Sequence, residues 1–232
     1  MEQHRRRRAR ILGTIVAAVA AVAVSVAGVL AAPGPDAGAA LEAPHAHMAH
    51  QRAVSPKLAF HDEMRKLWED HITWTRLFIV SFTEDLPDLA ATKRRLLQNQ
   101  VDIGDAVRPF YGDAAGRRLT VLLTDHITTA ATLLQAAKDG DADAFEAARN
   151  AWYRNARQIA RFLHDANPDV WPLSELKTMM REHLELTLAE AAARLEGAHR
   201  REVVAYDAVH EEILRMADML SDGIIEQFPG RF

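Results

Sequence analysis

The stretch Met64-Arg65-Lys66-Leu67-Trp68-Glu69-Asp70-His71-Ile72-Thr73-Trp74-Thr75-Arg76-Leu77-Phe78 decides the fold. Met64, Leu67, His71, Trp74 and Phe78 fall three or four residues apart, which places them on one face of an α-helix. One member of that otherwise apolar stripe is an imidazole. Upstream, Ser55-Pro56 supplies a cap and a first-turn proline; downstream, Leu86-Pro87-Asp88 supplies a turn. A helix is therefore expected from about residue 55 to about Phe82.

The same design recurs along the chain. A second helix is expected from the Leu86-Pro87-Asp88 turn to Phe110-Tyr111-Gly112, and a third from Asp113 to Lys138-Asp139-Gly140. A fourth follows from Asp141 or Asp143 to Ala166-Asn167-Pro168, and a fifth from Pro172–Ser174 to Glu196-Gly197. A sixth runs from about His199 to Ile225. At ~1.5 Å per residue each is roughly 33–42 Å long. Loops this short make neighbours antiparallel. No segment alternates as a strand would. The expectation is an all-α, up-and-down antiparallel bundle of six helices in three hairpins, occupying residues 55–232.

Every expected helix carries a polar residue on its apolar face: His71, Asn99, His126, Asn155, His183 and His210. In an antiparallel hairpin, two residues lie at equal height when the turn falls midway between them. His71 and Asn99 bracket residue 85, Asn99 and His126 bracket Gly112-Asp113, and His126 and Asn155 bracket Gly140. Asn155 and His183 bracket Asp169, and His183 and His210 bracket Gly197. The midpoints coincide with the expected loops, so the six residues are expected in one buried layer. Glu69-Asp70-His71-Ile72-Thr73, Thr124-Asp125-His126-Ile127-Thr128 and Arg181-Glu182-His183-Leu184 are also alike, at spacings of 55 and 57 residues (71 to 126 to 183). That spacing suggests one hairpin repeated three times.

Buried imidazoles left without partners cost roughly 1–3 kcal/mol each. Four of them call for acceptors, a metal or a ligand. Inward histidines and acids on facing helices are how bundles build metal sites, and a His-rich set without thiols suits zinc, copper or iron. The expected ligand set is His71, His126, His183 and His210 with Asp207 and Asp102, supported by Asn99 and Asn155. Two readings stay open. One is an exported binding module whose layer holds a metal ion or small ligand; the other is a structural or partner-binding bundle whose layer only sets helix register. An enzyme is a third reading, and no phosphate loop, nucleophile elbow or HExxH motif supports it.

The 232 residues include no Cys, which excludes disulfides, thiolate metal sites and cysteine nucleophiles. A net charge of −4 and 6% aromatic content argue against a nucleic-acid binder and for helices. Arg5, Arg6, Arg7, Arg8 and Arg10 precede an uncharged apolar run over 11–32 and a small-residue, Pro/Gly-rich exit. That order marks residues 1–40 as a signal peptide or membrane anchor, with the remainder exported and the membrane touched only through this segment. The part after residue 40 holds 23 basic and 30 acidic residues, a net −7. Residues 41–54 form a linker in which His45, His47 and His50 are an accessory metal-binding candidate. Trp68, Trp74, Trp152, Trp171 and the paired methionines Met179-Met180, Met216 and Met219 are expected to fill the core.

Leu67–Arg76, Leu96-Leu97-Gln98-Asn99-Gln100-Val101-Asp102-Ile103-Gly104, Trp152-Tyr153-Arg154-Asn155-Ala156, Tyr206-Asp207-Ala208-Val209-His210 and Met216–Ile225 together resemble a bacterial family of small exported helical proteins. Some of its members carry the name glycosyltransferase. The resemblance covers about residues 64–228 and implies a helical exported protein without an assigned activity. Nothing in these residues suggests the alternating strands and helices of a nucleotide-sugar fold. The resemblance implies an acid at the position held here by Gln158, which makes Gln158 a supporting residue of the layer at most.

Overall fold

A computed structural model describes residues 55–232, and among them the chain is entirely helical, with no strand. The signal or anchor over 1–40, the linker over 41–54 and the accessory His45, His47 and His50 lie outside the described residues. Five helices are present: α1 (Pro56–Thr83), α2 (Leu89–Asp139), α3 (Ala142–Ala166), α4 (Leu173–Leu195) and α5 (His199–Gln227), followed by a short 3₁₀ turn over Pro229–Arg231. None of these is long and apolar enough to cross a membrane.

The helix starts follow from capping chemistry. Ser55 Oγ accepts from the Leu58 amide at 3.2 Å, with Pro56 in the first turn, and Asp141 Oδ1 accepts from the Ala144 amide at 3.0 Å. The helix count differs from the six expected because Leu89–Asp139 is continuous apart from one residue, Gly112 (φ 82°, ψ 167°). That conformation is open essentially to glycine alone. Across it the chain doubles back. A Cβ placed on Gly116 would stand 2.6 Å from Gly104 O, and one on Gly104 would stand 2.0 Å from Thr120 Oγ1. Gly104 and Gly116 thus let the two arms of α2, one on each side of Gly112, touch backbone to backbone.

The result is three hairpins: α1 with the first arm of α2, the second arm with α3, and α4 with α5. The ring closes where α5 packs back on α1. Arg65 Nη1 donates to Asp218 Oδ1 at 2.6 Å across that seam, and Thr73 Oγ1 and Tyr206 Oη lie 3.4 Å apart. Three turns (84–88, 140–141 and 196–198) gather at one end of the bundle; Gly112, Trp171 and the C-terminus gather at the other. The second end is sealed by an aromatic cluster of Phe60, Phe110, Tyr111, Phe228 and Phe232. The core is apolar apart from a polar stratum at mid-height, which is the site, and the buried acids Glu190 and Glu202 with Arg76.

Candidate functional site

His71, His126 and His183 are each 3–4% exposed and converge at mid-height of the bundle. The ring centres of His71 and His183 are 6.0 Å apart, and so are those of His126 and His183. Helical periodicity brings them there, since each occupies the inward stripe of its own hairpin's first segment. Trp68 packs edge-on against His71 and Trp152 tilts over His126, with ring centres 5.8 and 5.4 Å apart.

Each Nδ1 meets a side chain 29 residues further along the chain. His71 faces Gln100 Nε2 at 3.3 Å, His126 faces Asn155 Oδ1 at 2.9 Å, and His183 faces Glu212 Oε2 at 2.9 Å. The supporting amides are themselves oriented. Asn155 Nδ2 donates to Leu122 O at 3.0 Å and Asn99 Nδ2 donates to Leu67 O at 2.9 Å, each bond reaching the carbonyl one turn before the histidine. With its Nδ2 committed, Asn155 presents Oδ1, so the proton of His126 sits on Nδ1 and the lone pair on Nε2. The Glu212 carboxylate assigns the same tautomer to His183. Gln100 Nε2 also donates to Leu96 O at 2.7 Å and to Asn99 Oδ1 at 3.2 Å. Among the described residues no hydrogen-bond partner reaches the Nε2 of any of the three histidines.

Electrostatics keep two of these rings neutral. Burial first, and then the charge of His183, holds both His71 and His126 down at about 3 from the ordinary 6.5. Hydrogen bonding with Asn99 and Gln100 at His71, and with Asn155 Oδ1 at His126, pulls the other way and loses. Glu212 is 2% exposed, and its second oxygen, Oε1, is buried without a partner.

The structure brings together five of the six residues expected in the layer and leaves out His210. That residue is half-buried and pairs with Glu69 Oε1 at 3.1 Å on the surface. The midpoint rule fixes height to within a residue or so but not the face. Residues 210 and 212 are ~200° apart around a helix, so Glu212 points in where His210 points out. Asp207 is exposed, one turn from His210 and on the same outer face. Asp102 accepts from Gln98 Nε2 at 2.9 Å on the outside of α2, and Gln158 is exposed on α3. None of these four joins the layer. The missed members are Gln100 and Glu212. The signal for both was present, because the spacing that relates the three histidines also carries 100 to 155 to 212.

Two cavities flank the layer. One, of about 40 Å³, lies toward the Gly112 end, with His71, His126 and His183 in its wall beside Met64, Trp68 and Met180. The other, of about 50 Å³, lies toward the three turns, with Trp152, Thr75 and Thr187 against the layer. Among the described residues no three His, Asp or Glu side chains are already gathered at metal-ligand spacing. Compared with known proteins, the chain matches no family model, no curated protein and no solved structure.

Proposed function

We propose that this is an exported helical-bundle binding protein, related to the small exported bacterial bundles its sequence resembles, in which Nε2 of His71, His126 and His183 share one transition-metal ion. The observation that carries the reading is the asymmetry of the imidazoles. Every Nδ1 is oriented by a partner 29 residues away, while no Nε2 has one among the described residues. A layer serving register alone has no need to leave three buried ring nitrogens unused. Metal-binding histidines give their second ring N–H to an acceptor, as Asn155 Oδ1 and Glu212 Oε2 offer His126 and His183. At His71 the Gln100 amide nitrogen donates to Nδ1 instead, so binding through Nε2 there requires the Gln100 amide to turn its unpartnered Oε1 to the ring.

Charge and protonation agree with it. Metal ligands must be deprotonated, and His71 and His126 stay neutral throughout the physiological range. Three histidines around a tetrahedral ion at ~2.0–2.1 Å have ring centres about 5.3 Å apart, and the His71–His183 and His126–His183 pairs, at 6.0 Å, lie near that spacing. A fourth position would face the cavity of about 40 Å³. Three neutral nitrogens without a thiolate suit zinc, copper or iron.

The test uses the exported chain with His45, His47 and His50 replaced by Ser, so that the linker contributes no ligands. Titration with Zn²⁺ or Cu²⁺ should give one site per chain, abolished by His126→Leu and raising the unfolding midpoint of the parent chain only. Equal destabilisation by His126→Leu with and without metal, and no stoichiometric binding by the parent, would establish a register network instead.

A further inference from the structure

We infer that the cavity on the turn side of the imidazole layer is a dry binding site for a small uncharged molecule of low polarity, reached from the cleft at the turn end of the bundle. This inference stands on the walls of that cavity, and it does not depend on what the imidazoles hold.

The cavity measures about 50 Å³ and its wall is nearly all carbon, with Leu96, Ile127, Leu133, Leu188 and Ala191 prominent in it. A water needs only ~10–15 Å³ on this measure, so size does not exclude water; chemistry does, because a buried water needs two to four polar partners. Thr75 Oγ1 donates to His71 O and Thr187 Oγ1 to His183 O, both at 2.8 Å, so each hydroxyl spends its proton on its own helix. Trp152 Nε1 is the one donor among the lining side chains without a partner. A cavity so lined stays dry, and dry apolar cavities take up weakly hydrated guests. An ion or a sugar would lose its hydration there without replacement. The volume suits two or three heavy atoms.

The site also has a way in. The cleft at the turn end, about 350 Å³, is lined by Thr83, Glu84, Lys138, Arg194 and His199 together with Ala137 and Leu195. Ala137 and Leu195 line the inner cavity too. One layer of small and flexible side chains therefore separates the open cleft from the dry chamber. At its far wall a guest meets Thr75 and Thr187, one turn beyond His71 and His183, and Trp152 beside His126. It would rest directly against the imidazole layer.

Xenon is the probe, applied to the metal-free full chain with ¹³C-labelled methyl groups. Saturable shifts are expected at the methyls of Leu133, Leu188 and Ala191, with no water cross-peaks to them. Ala191→Leu should fill the chamber and weaken xenon binding at least tenfold without loss of thermal stability. Ala137→Phe should leave the saturated shifts in place and slow their exchange severalfold. Absence of saturable shifts, or water cross-peaks at these methyls, overturns the site. Unchanged exchange in Ala137→Phe overturns the route. If Ala191→Leu does not fold, parent xenon saturation with its water cross-peaks decides the site. Neither outcome bears on metal binding, which is read separately by titration.

Discussion

The first two hairpins and the third share a backbone plan and differ in charge. Where the first two bury Phe78 and Leu133, the third buries Glu190; where they have Ala90 and Phe145, it has Glu202; where they have Gln100 and Asn155, it has Glu212. Glu202 is held by Arg76 Nη2 at 2.7 Å and Arg194 Nη1 at 3.3 Å. Glu190 is 0% exposed, has no hydrogen-bond partner on either oxygen, and lies 4.0 Å from Arg76. Burial, only partly opposed by Arg76, pushes its carboxyl up to about 8. The three hairpins share a frame, and the acids of the third give it a titrating interior.

The sharpest way to break this contrast is at Glu212. Glu212→Ala leaves His183 buried with no partner, and removing one member of a buried pair costs about 3–5 kcal/mol. Glu212→Gln makes the third hairpin resemble the first, since its Oε1 still accepts from His183 Nδ1. It should fold with a loss of about 1 kcal/mol in urea titration and bind metal ~10–100-fold more weakly, as expected for a lost carboxylate behind a ligand. Equal urea midpoints for the Ala and Gln variants would break the comparison.

A second test turns Glu190 into its counterpart, Glu190→Leu, and reads stability against pH in the metal-free chain. His71 and His126 are held near 3 in the fold and titrate near 6.5 when unfolded, so the unfolded chain binds more protons between those values. Their contribution is whole above pH 6.5 and is lost as pH falls toward 3. Glu190 has the opposite sign. Raised from 4.5 to about 8, its contribution is whole below pH 4.5 and is lost as pH rises to about 8. The two effects together place a stability maximum near pH 6.5, with a decline above it approaching ~1.4 kcal/mol per pH unit. Glu190→Leu should flatten the alkaline side and steepen the acid side between about pH 4.5 and 6.5, where Glu190 opposes the two histidines. A decline of the same slope in the variant would remove Glu190 as its source.

How much of this was legible follows from which forces act locally. The helices and their loops were readable because caps, prolines and 3–4 apolar spacing are local signals. Gly112 was readable as a boundary and not as the single-residue reversal within α2, because that geometry depends on Gly104 and Gly116 fitting against each other across the turn. In the site, the three histidines stood out as imidazoles within apolar stripes. Gln100 and Glu212 did not, since apolar spacing alone neither picks Glu212 over Glu211 nor adds Gln100 to Asn99, which are both buried, and only the 55- and 57-residue repeat points to them. Glu190 and Glu202 carry no local sign of burial, which depends on Arg76 and Arg194 from other helices.

Between the arms of α2, Gly116→Ala should cost about 1–3 kcal/mol, because the added methyl would meet both Arg108 Cγ at 2.3 Å, which can move aside, and Gly104 O at 2.6 Å, which is backbone and cannot. The layer should keep its composition, as the strain falls more than two turns from His126. A change in metal stoichiometry in this variant would show that the arms' contact and the layer are coupled.

The smallest effect belongs to His210, and its smallness is informative. His210 sits two residues before Glu212, at nearly the same height, and differs from it only in face. Its ring pairs with Glu69 at 3.1 Å, where the Glu69 side chain is 53% exposed, and stacks on Tyr206 with ring centres 5.8 Å apart. An exposed pair of this kind is worth ~0–1 kcal/mol and weakens with salt. His210→Ala should therefore shift the urea midpoint barely, more at low than at high ionic strength, and leave metal stoichiometry at the parent value. Glu212→Gln, two residues away, keeps the side-chain volume, yet should weaken metal binding ~10–100-fold. The pair of variants separates height from facing: equal effects on metal would mean that charge near the layer matters wherever it points, and unequal effects that only the inward side chain takes part.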